Sequence, residues 1–282
     1  MERRTALFAS LTAPAACGAP QSTGGGEVDA SAPVDMSRRL HDFAHDLTPP
    51  PSFTVQGVAL DETGAPIPMA WMSICTHTAC HSVSAAANGA FIIGGISDSP
   101  FVDFGVRSHD DVTAMPYQGT VVRLMHPPAK AGMTIDAGML YVPSMPAGVA
   151  LAPQMDTPQT VAAGDGLSLT FKRRDLESLV ASLDTLAARL IPPAHQPPYD
   201  VGAEHVDAIY AIMPYSITSK SPIAVKANLA LPAGTEVHFR TVREFEGRLD
   251  PVVIGHAAPD GMSVATDPGQ GIDNLTWIIV SH

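Results

Sequence analysis

The chain has 282 residues, enough for two domains of ordinary size, with 45% hydrophobic and only 16% charged residues. Its net charge of −12 excludes binding to nucleic acid or to an anionic membrane by charge, since both need clustered Lys and Arg. No run of 18 apolar residues occurs, so no spanning helix is predicted.

Residues 1–17 read as an export signal. A short basic start (Arg3, Arg4) is followed by the weakly apolar TALFASLTAPAAC, which ends in small residues. Ala15-Ala16-Cys17-Gly18 resembles the bacterial lipobox, with Pro14 where that pattern carries an aliphatic residue. The resemblance implies that Cys17 is lipidated and becomes the first residue of an exported protein. It implies a partner too: the membrane, held through a lipid anchor, in the outer membrane or periplasm.

Residues 18–52 are rich in Gly, Ala, Pro, Ser and Asp and are predicted to be a disordered tether. Within it, SRRLHDFAHDL can form one or two helical turns that place His41 and His45 on one face. Two histidines without further ligands do not make a metal site.

From Phe53 the pattern alternates with a period of two. FTVQGVAL, a DETGAP turn, and Ala70, Met72 and Ile74 come first, followed by the Asn88-Gly89 turn before AFIIGGI, then FVDFGVRS, TVVRLM and MTIDAGMLYVP. Short strands at this spacing predict an all-β sandwich of about seven strands. Gly57-Val58 in the first strand, Asp61-x-x-Gly64-x-Pro66-Ile67-x-x-Ala70-x-Met72-x-Ile74 after it, and Asn88-Gly89-Ala90-Phe91-Ile92 together resemble the carboxypeptidase regulatory-like domain. The resemblance implies a transthyretin-like β-sandwich over residues 53–145 and no catalysis, because nothing in the chain resembles the zinc domain of those enzymes.

Residues 146–282 are predicted to form a second β-sandwich domain. TVAAGDGLSLTF reads as a strand pair. RRDLESLVASLDTLAARLI reads as the one amphipathic helix, with Leu176, Leu179, Val180, Leu183, Ala187 and Leu190 on one face, Asp175 as its cap and Pro192-Pro193 as its stop. Strand signals return in HVDAIYAIMP, SPIAVKANLALP, GTEVHFRTVREF, DPVVIGHAA, MSVATD and LTWIIVS. The last 75 or so residues resemble the C-terminal β domain of uncharacterised bacterial lipoproteins of the myxobacterial type, and more distantly sandwich domains of the ZU5 kind. Leu249 stands where such tails often carry tryptophan.

CTHTACH, residues 75–81, is the densest run of potential ligands. Cys75 ends one predicted strand and Cys80 opens the next, across a four-residue loop of hairpin length. Residues opposed in a hairpin lie about 4.5–5.5 Å apart at Cα, which suits a disulfide. Haem attachment is disfavoured because Cys80 and His81, consecutive in a strand, point to opposite faces. Zinc would need Cys75, His77, Cys80 and His81 to fold around one ion within seven residues, whereas structural zinc sites join well-separated ligand pairs. A redox role lacks the C-x-x-C spacing. The expected feature is a Cys75–Cys80 disulfide, which leaves Cys17 for lipid.

No P-loop, G-x-G-x-x-G or H-E-x-x-H is present. Gly261-Met262-Ser263-Val264-Ala265 lacks the final glycine of a nucleophile elbow, and Asp165 in GDGLSLT is followed by glycine instead of serine. His109-Asp110-Asp111 reads as solvated turn charge. Asp267 and Asp273 in DPGQGID have the flavour of a calcium loop, which a glycine turn explains equally well. The expected protein is a non-enzymatic cell-envelope lipoprotein, structural or binding, with no cofactor, no catalytic residue and no metal. A carbohydrate-binding accessory protein is the alternative, and whether the partner is protein or glycan stays open.

Overall fold

The strands appear where β-branched and aromatic residues alternate with polar ones, and turns fall at the Gly, Asn and Asp positions between them. The computed structural model describes residues 52–61, 63–75, 80–96, 103–109, 120–125, 132–153, 156–178, 183–197, 199–215, 217–243 and 248–282, all within one compact unit. The first strands are β1 (Phe53–Leu60), β2 (Trp71–Cys75), β3 (Cys80–Ser84), β4 (Ala90–Ile96), β5 (Asp103–His109), β6 (Thr120–Met125) and β7 (Thr134–Tyr141). They form two sheets, of order β4-β1-β7 and β3-β2-β5-β6. Val55, Met72, Ile74, Phe91, Ile93 and Ile135, drawn from both sheets, meet in one core, so the sheets face each other as a sandwich.

Local chemistry sets the register here. In β4, Phe91 and Ile93 are buried while Ile92 between them is 64% exposed. The turn before β4 has Asn88 Oδ1 accepting the Ala90 N–H at 3.1 Å and Gly89 at φ +75°. A Cβ at Gly89 would lie 2.4 Å from the Ala59 carbonyl oxygen, so glycine is required on both counts.

The remaining strands are β8 (Val149–Ala150), β9 (Gln159–Gly164), β10 (Leu167–Phe171), β11 (Leu176–Ser178), β12 (Thr185–Leu190), β13 (Val206–Met213), β14 (Ile217–Ala227), β15 (Glu236–Arg243), β16 (Arg248–Leu249), β17 (Val253–Ala257), β18 (Val264–Thr266), β19 (Ile272–Leu275) and β20 (Trp277–Ser281). They follow the path β8-β12-β13-β20-β15-β17-β18-β14-β10-β9, with β11 and β19 also on β14 and β16 on β15. The β9–β10 hairpin turns at Asp165 (φ 46°) and Gly166 (φ 81°), the positive pair of a tight hairpin turn. The sheet curls back on itself. Leu169, Leu186, Tyr210, Val225, Phe239 and Ile278 share one interior, and the Asp165 Oδ2 accepts the Leu190 N–H at 2.9 Å, joining the two ends of the path.

Four of these strands are buried on both faces. Ala187, Ile209, Ala211, Val242, Trp277 and Ile279 point away from that interior into a second core, where Met145, Ile191 and Tyr199 cover them. Tyr199 meets Trp277 edge-on, with ring centroids 6.2 Å apart.

This two-sided burial corrects the expected helix. Residues Arg173–Asp175 make a single 3-10 turn, after which the chain runs as β11 and β12; residues 179–182 lie outside the described residues. Leu186, Ala187 and Ala188 are all fully buried, whereas Leu190 on the expected apolar face is 37% exposed. A strand with a core on each side shows no alternation, so its apolar run is indistinguishable from a buried helix by periodicity. Asp175 caps no helix; its carboxylate accepts the Ser221 hydroxyl at 2.6 Å.

Gly255 in β17 packs so closely that an added Cβ would stand 2.1 Å from the Ala265 oxygen and 2.7 Å from the Phe239 ring. Gly255→Ala is therefore expected to destabilise the fold by at least the roughly 1–3 kcal/mol typical of overpacking. Urea unfolding monitored by tryptophan fluorescence, to which Trp71 and Trp277 both contribute, measures it, and an unchanged midpoint would contradict this packing.

Candidate functional site

The register of β2 with β3 sets Cys75 directly opposite Cys80, as the hairpin reading expects. Along β3 the residues alternate, Cys80 exposed and His81 half-buried, so the two do diverge to opposite faces. His81 lies across from Ile74. Residues 76–79, Cys17, His41, His45, Asp110 and Asp111 lie outside the described residues.

The two carboxylates of the DPGQGID loop are separated by their partners. Asp267 Oδ1 is 2.8 Å from His256 Nδ1, while Asp273 lines a different feature, a cleft of about 190 Å³ shared with Thr241, Asp250, Val252 and Gly271. Beside that cleft Asp250 accepts hydrogen bonds from Thr241 Oγ1, at 2.6 Å, and from Asn274 Nδ2. Thr276 accepts the Val242 N–H at 3.0 Å and donates to the Val242 carbonyl at 2.8 Å. Ser263, in the would-be elbow, is buried at 8% exposure. Among the described residues, no group of three or more His, Cys, Asp or Glu side chains could hold a metal ion.

The strongest polar cluster was not visible as a motif. Glu204 precedes β13, Glu236, His238 and Arg240 stand on β15, and Ser281 ends β20. Arg240 donates to both Glu204 oxygens, at 2.6 and 2.7 Å, and to Ser281 Oγ at 2.8 Å. Ser281 Oγ in turn donates to Glu204 Oε2 at 2.6 Å. His238 lies between two carboxylates, with Nδ1 2.9 Å from Glu204 and Nε2 3.1 Å from Glu236. The Ser281 hydroxyl therefore gives its proton to Glu204 and takes an N–H from Arg240, and the residue is fully buried. It is a cross-link between strands, and among the described residues no imidazole is placed to activate it as a nucleophile.

An open groove of about 440 Å³ lies on the outer face of β9, β10, β14 and β18, lined by Thr160, Ser168, Thr170, Lys226 and Thr266. Thr160 and Thr170 pair through their hydroxyls at 2.8 Å. Small side chains from four strands make this face concave, and Lys226 rises from it exposed.

Neither a known family nor a curated protein matches the chain. Among solved structures, a candidate carbohydrate binding protein from Bacteroides uniformis is 9% identical over 82% of this chain and 79% of its own, with a TM-score of 0.24. The TIE protein of Bacillus anthracis is 10% identical over 80% of this chain and 47% of its own, with a TM-score of 0.26. BcpA, the major pilin subunit of Bacillus cereus, is 9% identical over 82% of this chain and 95% of its own, with a TM-score of 0.24. Likenesses of this size carry no argument about what the chain does.

The hydrogen bond from Arg240, against the opposing effect of burial and with further help from Ser281 and His238, holds the Glu204 carboxyl at about 2, down from 4.5. Because the folded value lies below the unfolded one, the stabilisation is complete above pH 4.5 and is lost as pH falls from there towards 2. For a side chain 22% exposed it amounts to roughly 3 kcal/mol at most. Glu204→Gln is expected to lower stability at neutral pH and to flatten this acid limb. Urea midpoints across that pH range read both, and an acid limb as steep in the variant would show that other groups set it.

Proposed function

We propose that this chain is a non-enzymatic lipoprotein of the bacterial cell envelope, exported and anchored through a lipid on Cys17, whose two β-sandwich domains, 53–145 and 146–282, act as a structural or binding module. The observation that carries the reading is the facing register of Cys75 and Cys80. A bridge between them suits an oxidising compartment and leaves Cys17, in its lipobox-like setting, as the remaining cysteine. The N-terminal sandwich fits the carboxypeptidase regulatory-like resemblance, a fold that serves as an accessory module. The polar clusters of the second part fit the same reading, since their hydroxyls and carboxylates are engaged with one another across strands.

A carbohydrate-binding accessory role is the second reading, favoured by the groove of Thr160, Ser168, Thr170 and Thr266 around Lys226. Hydroxyls that both donate and accept suit a polyol ligand.

The intact mass of the chain made in a secreting bacterial host, before and after reduction, tests the main reading. A lipid-bearing chain starting at Cys17 that gains two hydrogen atoms on reduction is expected; a full-length chain with free thiols would overturn it. Cys75→Ser is expected to lower stability by about 2 kcal/mol, the chain-entropy value for so small a loop, in a non-reducing urea titration.

A further inference from the structure

The groove on β9, β10, β14 and β18 is built from two cross-strand rows. Ala162, Ser168, Lys226 and Ala265 stand opposite one another in the ladder, and Thr160, Thr170 and Ala224 form the row beside them. Val161, Leu169 and Val225, between the rows, are buried, so both rows face outward. The alanines leave room around Lys226. The resulting space of about 440 Å³ falls within the roughly 300–1,000 Å³ of small-molecule sites.

The hydrogen-bonding capacity of this face is one-sided. Among the described residues Lys226 makes no ion pair or hydrogen bond, whereas Arg174, Arg189, Lys220 and Arg240 each meet a carboxylate. The Ser168 hydroxyl is likewise unengaged among them. Thr266 Oγ1 accepts the Val225 N–H at 3.2 Å, which leaves its O–H to donate. Thr160 and Thr170 spend one hydroxyl proton on each other and keep the second. No carboxylate lines the groove; Asp267, next along the chain to Thr266, has Oδ1 2.8 Å from His256 Nδ1. A ligand seated here must therefore supply acceptors. No aromatic ring is among the lining side chains either, so a sugar gains nothing from stacking on them and depends on polar contacts. Those made to an ionised group are roughly twice as strong as neutral ones.

We propose that the ligand of this groove is an acidic glycan built of uronic acid residues. The inference rests on the carbohydrate-binding reading of the chain and narrows it. The carboxylate of one residue meets the Lys226 ammonium, while sugar oxygens accept from Ser168, Thr266 and the Thr160–Thr170 pair. With 28 acidic against 16 basic residues, the rest of the surface repels such a polymer. Binding is thereby confined to the place where a cation is left unpaired.

The test is calorimetric titration of the full chain with tetragalacturonate, tetramannuronate, the methyl ester of tetragalacturonate and cellotetraose. At least one of the two acids is expected to bind at a single site. Removing its charge, as methyl esterification does for tetragalacturonate, is expected to weaken binding about five-fold, the scale of one exposed charge pair. That gap is expected to narrow at high salt. Lys226→Gln is expected to bring the acid down to the level of the ester without changing the ester. Ser168→Ala is expected to weaken both. Lys220→Gln makes the same change in net charge away from the groove and is expected to bind as the native chain does. Far-UV circular dichroism checks that the variants fold. Equal binding of acid and ester, with Lys226→Gln silent, would overturn the acidic ligand and leave the carbohydrate reading standing. An equal loss in Lys220→Gln would also overturn it, by showing a general effect of charge. No binding of any of the four oligosaccharides would overturn both.

Discussion

Ile278, Ile279 and Val280 are three consecutive residues with no exposure at all, because β20 has an apolar core on each side. Ile278 and Val280 enter the interior of the curled sheet, and Ile279 enters the layer closed by Tyr199 and Met145. Each such side chain contributes roughly 1.5–3 kcal/mol by leaving water. Everything around β20 follows from keeping it dry. Ile191, Tyr199 and Val201 must lie across the sheet, with Tyr199 edge-on to Trp277, and the strand ends, where backbone and side chains would otherwise meet solvent, are where the charged clusters sit. Glu204, Arg240 and Ser281 close one end of this region with paired, hydrogen-bonded charge, the only form in which charge is tolerated beside a core.

Legibility in the sequence tracked distance along the chain. Strands β1 to β7, the Asn88-Gly89 turn and the β9–β10 hairpin declare themselves within windows of a few residues, through alternation and through residues that accept positive φ. The register that sets Cys75 across from Cys80 was readable for the same reason. The segment 175–190 misled because its environment, unlike its composition, is two-sided: a run such as Leu186-Ala187-Ala188 carries no trace of which sheet faces will bury it. The Glu204 cluster was beyond reach in another way. Its members are separated by as many as 77 positions, and each alone is an ordinary surface residue type. Only the ladder that places His238 across from Ser281 makes them neighbours. Asp267 and Asp273 show the converse, since they are close in sequence yet are directed to His256 and to a separate cleft.

The polar chemistry of the described residues is distributed by face. Inside the second part, hydroxyls and carboxylates are spent on one another. Outside, the hydroxyl-lined face around Lys226 forms a broad, open groove.

The position of β20 in the ladder has a consequence for how the chain is made. β20 lies between β13 and β15 and pairs with both, yet it is the last of the three to leave the ribosome. Until residues 277–281 are available, two apolar strands wait with open edges and no common partner. The central sheet is therefore assembled late and all at once, through pairings of high sequence separation, which fold slowly and expose the chain to misassociation meanwhile.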